Sequence, residues 1–599
     1  MLRISFCAAV VCLALGASPA QAQTGANVLV VANGSSPDSV AIADYYAEKR
    51  GVPPDQLVKL QTSTADQVSR VAYERSIQAP IAAWLARHGA QDRILFIVLT
   101  KGVPLRIAGT GGRQGTVGSV DSELALLYRR MTGQPVAPTG FVPNPLFLEE
   151  GAVAGASRFT HNKYDIYLVT RLDGFTVDDV KALIDRGAAP SSSGRILLDQ
   201  RAGLEQQANE WLAAAAKKLN AQGLAERVML EETSRVIEPQ KGVLGYFSWG
   251  SNDPAISERH PGHEFVPGAL AGMFVSSDAR TFTEPPATWK PGRWESRMAY
   301  YAASPQSLTG DLIRAGVTGA AGYVAEPYLD SSVRPDLLFP AYLAGFTLAE
   351  SFYMALPALS WQAVVIGDPI CRPFGKSTIA AADLDPPIDK ETELPAFFST
   401  RRLAQAVQNT EPAAAKHTLR AEARLARDDR QAARAAFEEA IAVDGKHLVA
   451  LQNLGSLYEL DGEHEKAIAI YRKILDINPK DPAALNNLAY ALAVREDKPA
   501  EALPLAERAL LLAPRNPVIA DTVGWIKYLL EDYGGAIKLL EPAAKALPGN
   551  AEVQFHAAAA YAAAGRVSDA ANALKAAEAL DPNIKERPDY QALVQKIGK

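Results

Sequence analysis

Cysteine is scarce in this sequence: its 599 residues include three, at positions 7, 12 and 371. Two of them lie in an N-terminal segment that we expect to be removed, so Cys371 would be the one thiol of the mature chain. A single thiol excludes an intramolecular disulfide. The fold must therefore be stabilised by a buried core, for which a hydrophobic content of 48% provides ample material.

Long apolar runs and an excess of positive charge are also missing. No stretch beyond the N-terminal segment approaches the roughly 18 consecutive apolar residues of a membrane span. The chain has 61 Lys and Arg against 67 Asp and Glu, a formal net charge of −6. This mildly acidic balance lacks the basic surface that binds nucleic acid or anionic lipid. We therefore expect neither a nucleic-acid partner nor stable membrane insertion.

The first 22 residues have the pattern of a secretory signal peptide. Arg3 provides the positive charge, residues 4–17 are apolar and uncharged, and Ala20-Gln21-Ala22 is a small-x-small cleavage site. The apolar run is too short to span a bilayer and has no stop-transfer flank. The pattern predicts cleavage before Gln23 and a periplasmic or secreted mature protein.

Prolines recur near a 34-residue period in the C-terminal third of the chain. They are Pro479, Pro514, Pro548 and Pro582. Small and aromatic residues keep the same period, as in Gly455 and Gly524. Residues 413–599 resemble about five tetratricopeptide (TPR) repeats, which implies an all-α solenoid. The resemblance also implies a concave surface for a protein or peptide partner. A spacer or dimerisation element is the alternative, because repeats specify shape and not ligand.

Residues 23–374 predict an α/β domain that is separated from the repeats by a linker. Apolar strand-like runs alternate with amphipathic helical stretches, which favours a mainly parallel sheet covered on both faces. The run RILFIVLT at 93–100 is the clearest strand. Residues 375–412 are rich in Ala, Pro, Asp and Glu, which is typical of a linker. Ligands of open parallel sheets bind beyond the carboxyl ends of strands, so we expect functional residues there.

Two motifs of this domain resemble the gingipain-type cysteine peptidases, which have a caspase-like fold. They are DSVAIADYY at 38–46 and IVLTKGVP at 97–104. The stretch 27–374 also resembles an exported bacterial family without an assigned activity. The residues that carry this second resemblance are SPDSVAIADYY, VLTKGVPLRI, SVDSELALL, GYFSWGSND, GYVAEPYL and IGDP.

The turns that would hold the catalytic His and Cys of a gingipain-type peptidase read differently here. They are Phe247-Ser-Trp-Gly-Ser251 and Val324-Ala-Glu-Pro327, with neither His nor Cys. The attacking thiolate and the imidazole that accepts its proton are therefore both missing. Cys371 lies beyond a different strand and is expected to be a small buried residue.

Two sets of residues near predicted strand ends are candidates for function. Four carboxylates could act as an acid/base pair or bind a divalent cation: Asp121, Glu123, Asp253 and Glu326. The alternative is that each caps a helix, accepts turn N–H bonds or pairs with an arginine. A polar pocket with one aromatic wall, suited to a sugar or peptide, is predicted from Trp249, Ser251 and Asn252.

Metal binding has one further candidate, the pair His260 and His263. Two histidines in a loop, without Cys and without helical i, i+4 spacing, are a weak zinc signal. We therefore expect no metal site and no cofactor, with a divalent cation at the strand-end carboxylates as the alternative.

These observations favour an exported binding or scaffold protein with a caspase-like, non-peptidase α/β domain and a TPR partner surface. The rival hypothesis is a periplasmic or secreted hydrolase that uses Asp/Glu chemistry at the strand ends. A third is an envelope protein with a purely architectural role. The sequence assigns no reaction to the chain, and whether it is an enzyme stays open.

Overall fold

The computed structural model describes residues 20–137, 140–151, 153–201, 203, 206–375 and 378–598. Residues 1–19, most of the expected signal peptide, lie outside this part. The chain divides into two compact units, one ending at Gln405 and the other beginning at Ala406. We call them the α/β unit and the repeat unit. Across the described residues, none of the helices has the length and apolar character needed to cross a membrane.

The α/β unit is built on a sheet of ten strands. In chain order they are β1 Val28–Asn33, β2 Leu57–Leu60, β3 Phe96–Thr100, β4 Leu168–Leu172, β5 Arg195–Asp199, β6 Val228–Glu231, β7 Lys241–Ser248, β8 Glu264–Met273, β9 Gly319–Tyr323 and β10 Ala363–Ile366. All side chains of β1, β3 and β4 are buried, so both faces of the sheet are covered there.

The strands are ordered β6-β5-β7-β8-β9-β10-β4-β3-β1-β2 across the sheet. All neighbouring strands are parallel except β9 and β10, which pair antiparallel from Ala320 opposite Ile366 to Tyr323 opposite Ala363. The mainly parallel sheet predicted from the sequence is confirmed. The antiparallel pair divides it into two blocks of opposite direction. The carboxyl ends of the strands in the two blocks therefore lie at opposite edges of the sheet.

Twelve helices flank this sheet in the described residues. They are α1 Pro37–Arg50, α2 Arg70–Tyr73, α3 Ala79–Arg87, α4 Val120–Ala125, α5 Leu127–Met131, α6 Val177–Ala188, α7 Gln206–Ala221, α8 Thr309–Arg314, α9 Pro335–Leu343, α10 Leu348–Ala355, α11 Ala381–Leu384 and α12 Ala396–Ala406. The caps of α1 explain its bounds. Ser36 caps its first turn, Pro37 is its first residue, and Gly51 ends it with φ of +60°.

The segment expected to be a linker contains ordered structure that packs on the α/β unit. The amide of Asn27 donates to the carbonyl of Leu384 at 3.3 Å. The buried carboxylate of Asp92 accepts the N–H groups of Phe397 and Phe398 at 2.8 and 3.1 Å, at the start of α12. The boundary expected within 375–412 thus falls at its C-terminal end. Caps and turns explain why Pro and Asp are frequent here.

The repeat unit consists of five helix pairs and a terminal helix. The helices are α13 Pro412–Ala426, α14 Arg430–Val443, α15 Leu448–Leu460, α16 His464–Ile477, α17 Pro482–Val494, α18 Pro499–Leu512, α19 Pro517–Leu529, α20 Tyr533–Ala546, α21 Ala551–Ala563, α22 Val567–Leu580 and α23 Pro588–Ile597. Small residues let paired helices cross closely. A Cβ on Gly524 would lie 2.6 Å from Cγ of Leu540, and one on Gly455 would lie 2.7 Å from the ring of Tyr471.

Candidate functional site

Asp121 and Glu123 lie on α4, which packs against both β4 and β10. The guanidinium of Arg171 donates to Asp121 through Nε at 3.0 Å and through Nη2, and both side chains are buried. Glu123 is paired with Arg70 at 2.8 Å and Arg130 at 2.7 Å. These two carboxylates are therefore engaged by separate sets of arginines.

Asp253 and Glu326 follow strands of the other block, β7 and β9. Asp253 is 2% exposed, and its Oδ1 accepts the N–H of Ala255 at 2.8 Å and lies 3.3 Å from Nε of Arg201. Glu326 is exposed and accepts the N–H of Tyr328 at 2.9 Å. The structure thus places each of the four candidate carboxylates with its own partners.

A cavity of about 240 Å³ lies between the turns that follow β7 and β9. Its lining includes the aromatic residues Trp249, Phe274, Trp294 and Tyr328 and the polar residues Asn252 and Glu326. Trp249 and Asn252 were predicted to border a pocket. The cavity has more than the single aromatic wall expected, because Phe274, Trp294 and Tyr328 line it together with Trp249.

Ser251, the third residue predicted for this pocket, is buried beneath it. Its N–H donates to Oγ of Ser307 at 3.0 Å, and its Oγ accepts the N–H of Ser307 at 2.9 Å. Asn252 donates to the carbonyl of Phe274 at 2.7 Å and accepts from Gln306 at 3.0 Å. Both polar side chains therefore hold the surrounding loops together.

Cys371 is fully buried, and the hydroxyl of Tyr342 lies 3.4 Å from its Sγ. Burial, reinforced by the nearby Asp368, raises the pKa of the thiol to about 12. A catalytic thiolate needs a lowered pKa and access to substrate. The surroundings of Cys371 therefore oppose nucleophilic chemistry.

The histidine pair does not form a joint site. His263 is buried, its Nδ1 accepts the N–H of Gln240 at 3.1 Å, and burial lowers its pKa to about 4. His260 is exposed and borders a different, smaller cavity. Within the described ranges, no cluster of three or more His, Cys, Asp or Glu is arranged to hold a metal ion.

One carboxyl near the ends of β5 and β7 was not among the candidates. Asp199 is 2% exposed, and its Oδ2 accepts the N–H of Ile237 at 3.2 Å. Burial, with the nearby Asp253, raises its pKa to about 7. Its position at the end of a predicted strand could have made it a candidate. The sequence could not show that its carboxyl is buried without a cation beside it, because that depends on the tertiary structure.

The repeat unit contains a groove of about 420 Å³ that runs along the first helices of four successive pairs. It is bordered by α15, α17, α19 and α21, with Tyr471 of α16 at its floor. The lining residues are Ser456, Glu459, Leu460, Tyr471, Asn486, Asn487, Tyr490, Val518, Asp521, Thr522, Asn550, Glu552, Val553 and His556. The TPR resemblance predicted a concave surface but did not assign individual residues to it. Their equivalent positions in successive repeats could have identified them. The fifth and sixth residues of α17 are Asn486 and Asn487, and those of α19 are Asp521 and Thr522.

Ion pairs organise one end of the groove. Nδ1 of the buried His556 lies 3.0 Å from Asp521, and its Nε2 lies 3.3 Å from Glu552, which also pairs with Arg587 at 2.5 Å. Burial opposes the charge of His556, but Asp521 and Glu552 outweigh it and raise the pKa to about 9. Burial likewise opposes ionisation of Glu552, but His556 and Arg587 lower its pKa to about 2. The cluster is therefore charged at neutral pH.

Two acceptor atoms at the other end of the groove have no hydrogen-bond donor among the described residues. They are Oδ1 of Asn486 and Oε2 of Glu459. Asn486 is 7% exposed, and its Nδ2 donates to Asn487 at 3.2 Å. Oε1 of Glu459 lies 3.1 Å from Arg495. A shielded acceptor without a donor is unfavourable, so this end of the groove is suited to a ligand that donates.

Comparisons with known proteins match the repeat unit. Profiles of the tetratricopeptide repeat family match residues 418–482 and 528–597. The C-terminal region is therefore an all-helical TPR region, as predicted from its period.

The chain is also similar to named proteins over part of its length. It is 31% identical over 90 residues to photosystem I assembly protein Ycf3 of Rippkaea orientalis and 33% identical over 88 residues to that of Cyanophora paradoxa. These matches cover 13% and 12% of this chain and about half the length of each relative, 51% and 50%.

Two solved structures are similar to part of the chain. The type IV pilus biogenesis factor PilW is 22% identical with a TM-score of 0.28, covering 31% of this chain and 86% of PilW. YrrB, described as a TPR protein with an unusual peptide-binding site, is 19% identical with a TM-score of 0.25, covering 30% of this chain and 93% of YrrB.

Proposed function

We propose that this chain is a binding or scaffold protein whose TPR groove holds an extended segment of a protein partner. The groove itself carries the proposal. Its lining combines the exposed apolar residues Leu460 and Val518, 68% and 48% exposed, with the unpartnered amide oxygen of Asn486. Apolar contacts beside a few polar groups are typical of peptide sites. TPR proteins in general bind protein partners, which supports this assignment.

For the α/β unit we propose a caspase-like arrangement that serves as a platform and not as a cysteine peptidase. The resemblance of the 38–46 and 97–104 motifs supports the fold. The buried Cys371 and the absence of His and Cys from the two turns support the missing activity.

We also propose that the protein is exported and that its mature form begins at Gln23. The support is the pattern of the first 22 residues. N-terminal sequencing of the protein from the cell envelope and medium tests it. Recovery of an intact Met1 on a membrane-embedded product would contradict both export by cleavage and the expected periplasmic or secreted location.

Binding is tested with residues 23–599 and an immobilised array of random 15-residue peptides. Peptides that bind are then titrated in solution by fluorescence anisotropy. We expect Asn486→Ala to weaken their binding about tenfold, since it removes a groove acceptor. Asn572→Ala, on the exposed face of α22, is the matched control and should change nothing. The proposal fails if no peptide binds, or if both variants bind like the parent protein.

A further inference from the structure

We infer that the TPR groove selects a partner segment that presents a cationic side chain, lysine or arginine, flanked by apolar residues. The inference rests on the proposed function and names the chemistry of its ligand. It arises from the juxtaposition of Glu459 and Asn486, two unpartnered acceptors, with the exposed apolar residues Leu460 and Val518 on the same groove.

Hydrogen bonding is the first argument. Oδ1 of Asn486 and Oε2 of Glu459 lie on the neighbouring helices α17 and α15 and have no donor among the described residues. Asn487, between them and α19, already accepts from Asn486. A ligand that enters here must therefore donate. An ammonium or guanidinium provides several donors, whereas a carboxylate has none.

Charge is the second argument. Three carboxylates line the groove, those of Glu459, Asp521 and Glu552, and its lining contains no Lys or Arg. The one cation of the lining is His556, which is already held between Asp521 and Glu552. The lining therefore keeps a net negative charge even when His556 is protonated. A cationic segment is complementary to this charge, and an acidic one is repelled.

Two arginines at the edge of the groove, Arg495 and Arg587, do not remove this preference for a cationic ligand. Arg495 lies 3.1 Å from Oε1 of Glu459 and leaves Oε2 without a partner. Arg587 contacts Glu552 and Asp589 at 2.5 and 2.6 Å, at the far end of the groove. His464 also lies on the Oε1 side of Glu459, at 3.3 Å, so both neighbouring basic side chains contact that oxygen and Oε2 keeps no donor among the described residues.

Apolar surface supplies the flanking preference. Leu460 ends α15 with 68% of its surface exposed, and Val518 opens α19 with 48% exposed. The half-buried Tyr490 lies on α17, the helix between them. Burial of apolar side chains against these residues stabilises the complex, and the cation between them determines its register.

The test uses three nine-residue peptides, acetylated and amidated, that differ in one central residue between two leucines. The central residue is lysine, glutamine or glutamate. Affinities for residues 23–599 are measured by isothermal titration calorimetry at low and high salt. We expect the lysine peptide to bind about tenfold more tightly than the glutamine peptide, the effect of one charge-assisted hydrogen bond, and the glutamate peptide to bind most weakly.

Two variants test whether Glu459 causes the preference for lysine. Glu459→Gln should abolish most of the preference for lysine over glutamine. Glu507→Gln is the matched control: this exposed glutamate also pairs with a cation, Lys527 at 3.1 Å, but lies outside the groove. It should preserve the preference. Circular dichroism confirms that both variants fold.

The outcomes separate the inference from the function on which it rests. Equal binding of the three peptides, weakened by Asn486→Ala, would retain peptide binding in the groove and overturn the charge selection. Tighter binding of the glutamate peptide, or a lysine preference that survives Glu459→Gln, would also overturn it. If none of the three peptides binds while array peptides do, the selection is wrong. If neither set binds, both proposals fail.

Discussion

The candidate site residues of the α/β unit and those of the repeat unit differ in their hydrogen-bond partners. In the α/β unit, Asp121 and Glu123 form ion pairs with arginines. The strand-end residues Ser251 and Asn252 form hydrogen bonds to neighbouring loops. In the repeat unit, Asn486 and Glu459 keep unpartnered oxygens beside a groove. Asp121 and Glu123 therefore stabilise the first unit, while Asn486 and Glu459 of the second each keep an acceptor for recognition.

Removing Arg171 should produce the largest loss of stability in the α/β unit. Arg171→Met leaves the buried Asp121 without its cation and leaves Asp173 with Lys101 alone, and breaking a buried pair in this way costs about 3–5 kcal/mol. Hydrogen exchange measured by mass spectrometry over β4 checks it. Arg113→Met, which removes an exposed pair with Asp330, should have no measurable effect. Equal protection in both variants would contradict the structural role assigned to Asp121.

The two buried histidines, His556 of the repeat unit and His263 of the α/β unit, should contribute to stability with opposite pH dependence. The folded pKa of His556 is raised to about 9, so its contribution is complete below about pH 6.5 and is lost as the pH rises through 9, by up to about 3 kcal/mol. The folded pKa of His263 is lowered to about 4, so its own contribution is lost as the pH falls from about 6.5 towards 4. The folded pKa of Asp199 in the same unit is raised to about 7, so its contribution is lost in the other direction, as the pH rises from about 4 through 7.

Hydrogen exchange of α21 and of β7 between pH 4 and 9.5 follows the two units separately. His556→Gln should reduce the loss of exchange protection in α21 at alkaline pH and leave the protection of β7 unchanged. An alkaline loss of the same size in that variant would assign the effect to other groups.

Close helix crossing in the repeats predicts two glycine substitutions of opposite sign. Gly524→Ala should destabilise the repeat unit by about 1–3 kcal/mol, because the new Cβ would overlap the buried Leu540. Gly534→Ala, in open space on α20, should stabilise it by about 0.5–1 kcal/mol through helix propensity. Urea unfolding followed by the circular dichroism of the helices measures both. The packing argument is wrong if the two substitutions shift stability in the same direction.

Cys371 should give the smallest effect. Cys371→Ser replaces a buried thiol in contact with Tyr342 and should change stability by about 1 kcal/mol. Iodoacetamide should label the thiol only after denaturation, since burial raises its pKa to about 12. Mass spectrometry before and after urea treatment checks this. Rapid labelling of the native protein, with loss of a peptidase activity in Cys371→Ser, would restore the cysteine-peptidase hypothesis.

Local patterns predicted much of the fold. The proline period located the repeats, and the apolar run at 93–100 located β3, which the structure bounds at Phe96–Thr100. The reversal between β9 and β10 was not predicted, because strand direction depends on how connections cross the sheet and leaves no trace in hydrophobic periodicity.

The candidate sites were also predicted in part from local sequence and determined in part by the tertiary structure. Trp249 and Asn252 were expected near a pocket from their place after a strand, but Trp294 joins them only because the loop after β8 folds back over that edge. The groove was expected from the TPR resemblance. Its individual residues were not named, although their shared repeat offsets could have identified them.

The sequence by itself determined the helical repeats, their count and the alternating elements of the α/β unit, because caps, apolar periods and prolines act over a few neighbouring residues. Only the tertiary structure decided which polar groups find a partner. Asp121 meets Arg171 across 50 residues of chain, whereas Asn486 lines a groove formed by several helices and its Oδ1 meets no donor there. Hydrogen bonds and ion pairs depend on distances of a few ångströms between distant segments, and these distances exist only once the chain is packed.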